Sequence, residues 1–421
     1  MLGQNYVDGK FVDSVSESEF DNLDPCTEES LATFKNTTNE EVDAAYECAR
    51  KTFHEWRAIS RVERAEYMYE VAKLIEERRE KLAGIISLET GKNYNESIAE
   101  VNEALHMAQY AFSSGRTPQG EAVASEISGK DAYMLRKPKG VVAIISPWNF
   151  PLAIGAFWCA APALVEGNTV ILKPSEDAPY TSQMALELYH DAGVPPGVIN
   201  LVHGDGQVGD YLARQNVDHI CFTGSAEVGQ HIRYVCAHSW HKTCSCEMGS
   251  KSAVIVFEDA NFELAVSSAV ASAFKLSGQR CVSSGRLIVH RDIYDAFADE
   301  FAHYAKQIVT GAPANSDSYM GPLINRQQID RVMGYNHMVL EDPKAKVLVE
   351  PKYSSPGYFV SPIVYKTEWR DVSYLKNEVF GPHVAIIPFD DISDAVRIYN
   401  DTDYGLAVGV VTEDFKKARI C

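Results

Sequence analysis

From Val141 onward the chain alternates short unbroken apolar runs with helical stretches, and this rhythm constrains the fold most. Val141-Val142-Ala143-Ile144-Ile145 has no polar interruption, as in a strand covered on both faces. A helical run follows Pro151. Residues 169–172 then read as a strand, 181–192 as a helix, 198–202 as a strand, 206–214 as a helix and 219–222 as a strand. Alternation of this kind implies an α/β fold with parallel βαβ units. A second series of apolar runs falls at 252–257, 287–290, 384–389 and 407–412. Upstream, residues 5–13 read as short strands around Asp8-Gly9 and residues 39–114 as mostly helical. Residues 120–138 read as a hairpin around Ser128-Gly129-Lys130.

A chain of 421 residues is long enough for about two or three domains. Its formal net charge of -19 argues against nucleic acid and anionic membrane surfaces as partners, because both would repel it. The start, Met1-Leu2-Gly3-Gln4-Asn5, lacks the pattern of a signal peptide. The longest apolar run, about residues 152–165, is shorter than the roughly 20 residues a spanning helix needs. Nine cysteines at irregular spacing do not form a disulfide framework. The expectation is a soluble chain in the reducing cytoplasm.

Several loops follow the strands at the edge where open α/β sheets bind ligands. Ser146-Pro147-Trp148-Asn149-Phe150-Pro151 is stiffened by two prolines, and the Asn149 amide could meet a developing oxyanion; a rigid turn is the alternative. Lys173-Pro174-Ser175-Glu176 could bind ribose hydroxyls, or be a solvated turn. A carboxylate there repels a 2′-phosphate and favours NAD over NADP. Gly204-Asp205-Gly206-Gln207-Val208-Gly209 matches G-x-G-x-x-G but lacks a well-placed acid downstream. Phe222-Thr223-Gly224-Ser225 is a better phosphate candidate, since it opens a helix; Ser225 could equally be only an N-cap. His238, His241, Cys244 and Cys246 cluster, but their spacing is not a standard zinc pattern, and strand cysteines account for them without metal. Glu247-Met248-Gly249-Ser250-Lys251 ends a strand with a glutamate well placed in a cleft, or a surface carboxylate, and Glu378-Val379-Phe380-Gly381-Pro382 alone reads as a turn before a strand. Cys281, in Gly278-Gln279-Arg280-Cys281, follows a helical pattern at 264–276 and is a possible thiol nucleophile.

Taken in order, these segments resemble the aldehyde dehydrogenase superfamily. The resemblance rests on S-P-W-N-F-P at 146–151, K-P-S-E at 173–176, F-T-G-S-x-x-V-G at 222–229, E-M-G-S-K at 247–251, G-Q-R-C at 278–281, E-V-F-G-P at 378–382 and Y-G-L at 404–406. Glu247 precedes Cys281 by 34 residues, an interval that fits. The resemblance implies a Rossmann-type cofactor domain at 1–119 and 139–246, a bridging and oligomerisation hairpin at 120–138, and a catalytic domain at 247–421. It implies Cys281 as nucleophile, Glu247 as general base and Asn149 as oxyanion donor. For NAD, with NADP also possible, it implies Trp148, Lys173, Ser175, Glu176, Gly206, Ser225, Glu378 and Phe380. No metal is implied. The partner is a small aldehyde, and the chain is expected to form a homodimer or homotetramer when the C-terminal segment is present.

Two departures accompany the resemblance. Ser250 stands where the family usually has glycine. The chain also ends at Cys421, inside an incipient helix, so a further C-terminal segment of the family is expected to be missing. The substrate is left open between general aldehydes, succinate semialdehyde and glutamate semialdehyde, the open form of pyrroline-5-carboxylate. A CoA-acylating relative and a catalytically silent, truncated one are the competing readings.

Overall fold

The computed structural model of the chain describes residues 3–315 and 317–421. These divide into two compact units. The first holds the stretch ending at Leu23, Ser30–Glu89 and Ser97–Glu247; the second holds Asp24–Glu29, Thr90–Glu96 and Met248–Cys421.

The first unit is built on a sheet whose order, among the described residues, is Thr243–Glu247, His219–Thr223, Val141–Ile145, Thr169–Lys173, Ile199–Leu201, Asn5–Val7, Lys10–Val12. The first five run parallel, and the last two add antiparallel. This is the expected βαβ arrangement, with the N-terminal strands sealing one edge. Val141–Ile145 is the middle of the five parallel strands, and its first four residues are buried. Leu152, Ala156, Phe157 and Leu164 from the run after Pro151 pack with Val142, Val170 and Leu172 into one core. Each of the leucine, valine and phenylalanine side chains contributes about 1.5–3 kcal/mol by burial. That run differs from the expected α-helix in its first half: Ala153–Ala160 is a π-helix, continuing as an α-helix over Ala161–Val165. Residues 120–123 and 132–135 pair as the expected antiparallel hairpin.

Two buried glutamates hold the helices of this unit. Glu100 accepts from the N–H groups of Leu152 at 2.8 Å and Ala153 at 3.1 Å. Glu89 accepts from Tyr180 N at 2.8 Å and Thr181 N at 2.7 Å, at the start of helix Pro179–Asp191. Neither helix carries a side-chain cap of its own at its N-cap residue, so the distant carboxylates satisfy amides that the helix cannot.

The second unit has a sheet in the order Lys346–Val349, Ile363–Lys366, His383–Phe389, Arg286–His290, Ala253–Val256, Val408–Val411. Its strands are parallel except the first. Alternate residues serve alternate faces: Val254, Val256, Leu287 and Val289 join one core, and Ala253, Ile255 and Ile288 the other. Helices Tyr294–Gln307 and Arg326–Glu341 were not anticipated from the sequence. Among the described residues, no helix is long and apolar enough to cross a membrane. All nine cysteines are free thiols.

Candidate active site and cofactor cleft

In the first unit, the carboxyl ends of the parallel strands open into a cleft of about 590 Å³. That volume lies within the range of small-molecule sites. Four of the five parallel strands lead into its walls. Trp148 stands on the loop after Val141–Ile145, while Lys173, Ser175 and Glu176 follow Thr169–Lys173. Gly206 opens helix Gly206–Arg214, and Phe222 to Ser225 lead into helix Ala226–Ala237. Six of the residues assigned from the sequence to the cofactor therefore share one cavity.

Their individual settings differ. The Lys173 ammonium is buried and donates to the Pro174 carbonyl at 2.7 Å and to the Gly204 carbonyl. Burial holds its pKa below the ordinary lysine value. Glu176 lies 3.8 Å from that ammonium and is half exposed. Ser225 does cap its helix, accepting from Val228 N at 3.3 Å. Within G-x-G-x-x-G, Gly206 faces open space, whereas a Cβ on Gly209 would lie 3.2 Å from Lys173 Cε. The motif thus supplies close packing on the lysine and an open first turn.

Asp210, His231 and Ile232, which no sequence motif singled out, also line the cleft, together with Val228 of the F-T-G-S-x-x-V-G motif. His231 Nε2 is 2.6 Å from Asp210, and Arg214 Nε is 2.8 Å from the same carboxylate. They lie on two helices, and only tertiary packing brings them to the cavity.

Asn149 is buried on the same loop as Trp148. The loop is set by the central strand on one side and by Glu100, through Leu152 and Ala153, on the other. Glu247 ends the edge strand, opposite Thr223, with its carbonyl accepting from Gly224 N at 3.0 Å. Its side chain is exposed. Cys159 lies near enough for the Glu247 charge to act on it; hydrogen bonding to Cys221, with burial, raises the Cys159 thiol. Cys244 and Cys246 are half-buried rather than buried, because their strand is an edge strand. His241 Nε2 is bonded to Asn216 at 2.9 Å, and His238 Nδ1 to the Tyr234 carbonyl at 2.8 Å. Among the described residues, no group of three or more His, Cys, Asp and Glu could hold a metal.

Cys281, Glu378 and Phe380 belong to the second unit. Helix Phe262–Phe274 ends before the expected boundary, and the chain turns through Leu276, Ser277 and Gly278 at φ of 53°, 54° and 73°. Left-handed backbone costs a non-glycine residue about 1–2 kcal/mol. The turn is held from several sides: Leu276 N donates to Glu96 at 2.9 Å, Ser277 Oγ to the Gly321 carbonyl at 2.7 Å, and Ile324 N to Gln279 Oε1 at 3.0 Å. Gly278 is required twice over, since a Cβ there would fall 2.3 Å from the Gly381 carbonyl. Cys281 emerges from this turn half-buried.

Glu378 accepts from Ser250 N at 2.8 Å. Burial raises its pKa above the usual carboxylate range, against the lowering effect of that bond and of Arg331 and Lys251. Phe380 has φ of 61°, with its carbonyl accepting from Gln328 Nε2 at 2.6 Å. Ser250, Gly278, Arg280, Glu378 and Phe380 line one small cavity.

The first unit carries a sheet-edge cleft between helix starts, and the second carries a cysteine that follows a left-handed turn; both are features of an α/β enzyme. The chain belongs to the aldehyde dehydrogenase family, whose model matches residues 11–421. A protein of Bacillus subtilis (strain 168) named as an aldehyde dehydrogenase, DhaS, is 37% identical over 420 residues, 98% of this chain and 84% of its own length. The betaine aldehyde dehydrogenase of Staphylococcus aureus, solved with NAD+, superposes with a TM-score of 0.95 at 32% identity, covering 99% of this chain and 84% of that one. Another crystal structure of it carries a cysteine modified by BME. A Burkholderia cenocepacia structure named as an aldehyde dehydrogenase gives 0.95 at 35% identity, covering 99% and 86%.

Proposed function

We propose that this chain oxidises an aldehyde to its carboxylic acid with NAD+, through a covalent intermediate on Cys281. The observation that carries the reading is the cleft shared by Trp148, Lys173, Ser175, Glu176, Gly206 and Ser225. Its size suits a dinucleotide half, and the first-turn N–H groups of helix Ala226–Ala237 are donors suited to a pyrophosphate. Glu176 and the Lys173 backbone region suit the adenosine ribose, and Glu378 the nicotinamide ribose, with Phe380 packing nearby. Residues 1–119 and 139–246 are assigned to cofactor binding and residues 247–421 to catalysis.

An ordinary thiol has a pKa of about 8.5, so Cys281 needs a base at neutral pH. Glu247 takes that proton, and the thiolate adds to the aldehyde carbon. Asn149 and the Cys281 N–H hold the oxyanion of the thiohemiacetal; one such donor is worth about 2.7–4 kcal/mol in the transition state. Bound NAD+ supplies the hydride acceptor. Loss of hydride leaves a thioester on Cys281; Glu247 then passes the thiol proton to solvent and deprotonates a water, whose attack on the thioester carbon releases the acid, with the proton returned to the departing thiolate. Nine free thiols suit a cytoplasmic setting, and the exposed Val123, Tyr133, Met134 and Leu135 of the hairpin suit a homo-oligomer.

The test is NADH formation with a panel of aldehydes that includes succinate semialdehyde, glutamate semialdehyde and betaine aldehyde, with and without CoA. Activity in the parent and none in Cys281→Ala supports the reading. Full activity in Cys281→Ala removes the covalent mechanism, and acyl-CoA as product replaces hydrolysis by acyl transfer to CoA. No NADH with any aldehyde favours a catalytically silent relative.

A further inference from the structure

Ser250 stands where the family usually has glycine, and its hydroxyl is not idle. Ser250 Oγ donates to the carbonyl oxygen of Cys281. It also lies 2.7 Å from Ser252 Oγ and accepts from Ser252 N at 3.2 Å. Ser252 Oγ is itself 3.4 Å from the same Cys281 carbonyl. Both serines are buried, at 5% and 3% exposure. The donor count closes: Ser250 gives its one hydroxyl hydrogen to the carbonyl and takes bonds from Ser252 on its lone pairs. Meanwhile the Ser250 backbone N–H donates to Glu378 at 2.8 Å.

We infer that Ser250 is a positioning residue for the nucleophile, acting with Ser252 to fix the Cys281 peptide, and that in this chain it replaces the freedom of a glycine with a hydroxyl clamp. The inference rests on Cys281 being the nucleophile. Cys281 sits in a turn, outside regular secondary structure, where Ser283 N to the Arg280 carbonyl, at 2.9 Å, is the closing bond. A hydrogen bond to the Cys281 carbonyl restrains ψ of Cys281 and thereby the direction of its Cα–Cβ bond. Reacting groups lose rate steeply when displaced by even 1 Å or so. One neutral hydrogen bond corresponds to about a 3- to 10-fold effect. The Ser250 hydroxyl is spent on the Cys281 carbonyl and acts through the cysteine.

The arrangement also separates two roles in one residue. The side chain serves Cys281, and the backbone serves Glu378. Substitution of the side chain therefore changes the cysteine turn and leaves the Glu378 bond in place.

The experiment compares the full chain with Ser250→Gly, Ser250→Ala, Ser252→Ala and Cys281→Ala. It measures kcat, KM for NAD+, and the pH profile of inactivation by iodoacetamide, with labelling of the Cys281→Ala chain subtracted for the other thiols. Ser250→Gly restores the residue usual in the family and so keeps a fold-compatible variant in the set. The expected result is a kcat and an inactivation rate altered about 3- to 10-fold in both Ser250 variants, with KM for NAD+ within about twofold of the parent and a smaller change in Ser252→Ala. A kcat and an inactivation profile within twofold of the parent in Ser250→Gly and Ser250→Ala overturn the inference, whatever happens to thermal stability. If Cys281→Ala keeps full activity, the nucleophile assignment has failed instead, and the inference falls with it.

Discussion

Gly249 lies against Glu378 so closely that a Cβ on it would fall 2.0 Å from the Glu378 Oε2 atom. The next residue, Ser250, donates its N–H to the same carboxylate at 2.8 Å. The bare Cα of Gly249 and the backbone N–H of Ser250 form a seat for the carboxylate proposed to hold the nicotinamide ribose. Gly249→Ala must push Glu378 out of that seat. A hydrogen bond to a charged group is worth about 1.5–3 kcal/mol, so KM for NAD+ is expected to rise roughly 10- to 100-fold. Initial rates against NAD+ concentration check this, and an unchanged KM would show that Glu378 does not contact the cofactor.

The cofactor preference turns on Glu176, which is half exposed and 3.8 Å from the Lys173 ammonium. Glu176→Gln removes the negative charge that repels a 2′-phosphate and keeps a hydrogen-bonding side chain. The ratio of kcat/KM for NAD+ to that for NADP+ is expected to fall about tenfold, the equivalent of roughly 1.4 kcal/mol. Solvent screening at an exposed carboxylate keeps the effect from being larger. A ratio that does not move would place the ribose away from Glu176.

Glu100 is legible in the sequence only as one more charged residue in a helical pattern, yet it is fully buried and caps the helix after the Trp148–Asn149 loop. Glu100→Ala leaves the Leu152 and Ala153 N–H groups without that acceptor, at a cost of about 2–4 kcal/mol. Glu100→Gln retains an acceptor and should lose much less. Denaturant titration measures the stabilities, and kcat/KM reports whether the loop has lost its setting. Equal stability of the Ala and Gln variants would show that the cap is dispensable.

What the sequence could and could not convey follows from the range of the forces involved. The parallel strands were readable because double-sided burial leaves no polar residue in Val141–Ile145 or, in the second unit, Ile386–Ile387. The cleft residues after those strands followed from the geometry of an α/β sheet edge. Glu89 and Glu100 were not readable, since each partners helix amides more than 50 residues away in the chain. The left-handed Leu276 and Ser277 were invisible for a different reason. Their backbone is dictated by Glu96 and Gly321 rather than by their own preferences. Ser250 was visible as a departure, but its role depended on Cys281 and Ser252 lying beside it.

Lys251, next to Ser250, carries a prediction about pH. Its ammonium is buried and donates to the Tyr374 carbonyl at 2.9 Å. Burial, reinforced by Arg286, pushes its pKa down to about 7 against the attraction of Glu378. In the unfolded chain a lysine titrates at about 10.4. Between those values the unfolded chain holds more protons, so stability from this group rises with pH. The contribution is complete above the unfolded value, is lost as pH falls towards 7, and is flat below that. Lys251→Met removes the titration while filling much of the same space. The parent is therefore expected to gain about 2 kcal/mol relative to Lys251→Met on going from about pH 7 to about pH 9. Groups common to both chains cancel in the difference. Denaturant midpoints and slopes for both chains at the two pH values decide it: a stability difference that stays constant means that Lys251 keeps its charge throughout and that neighbouring Glu378 outweighs the cost of burial.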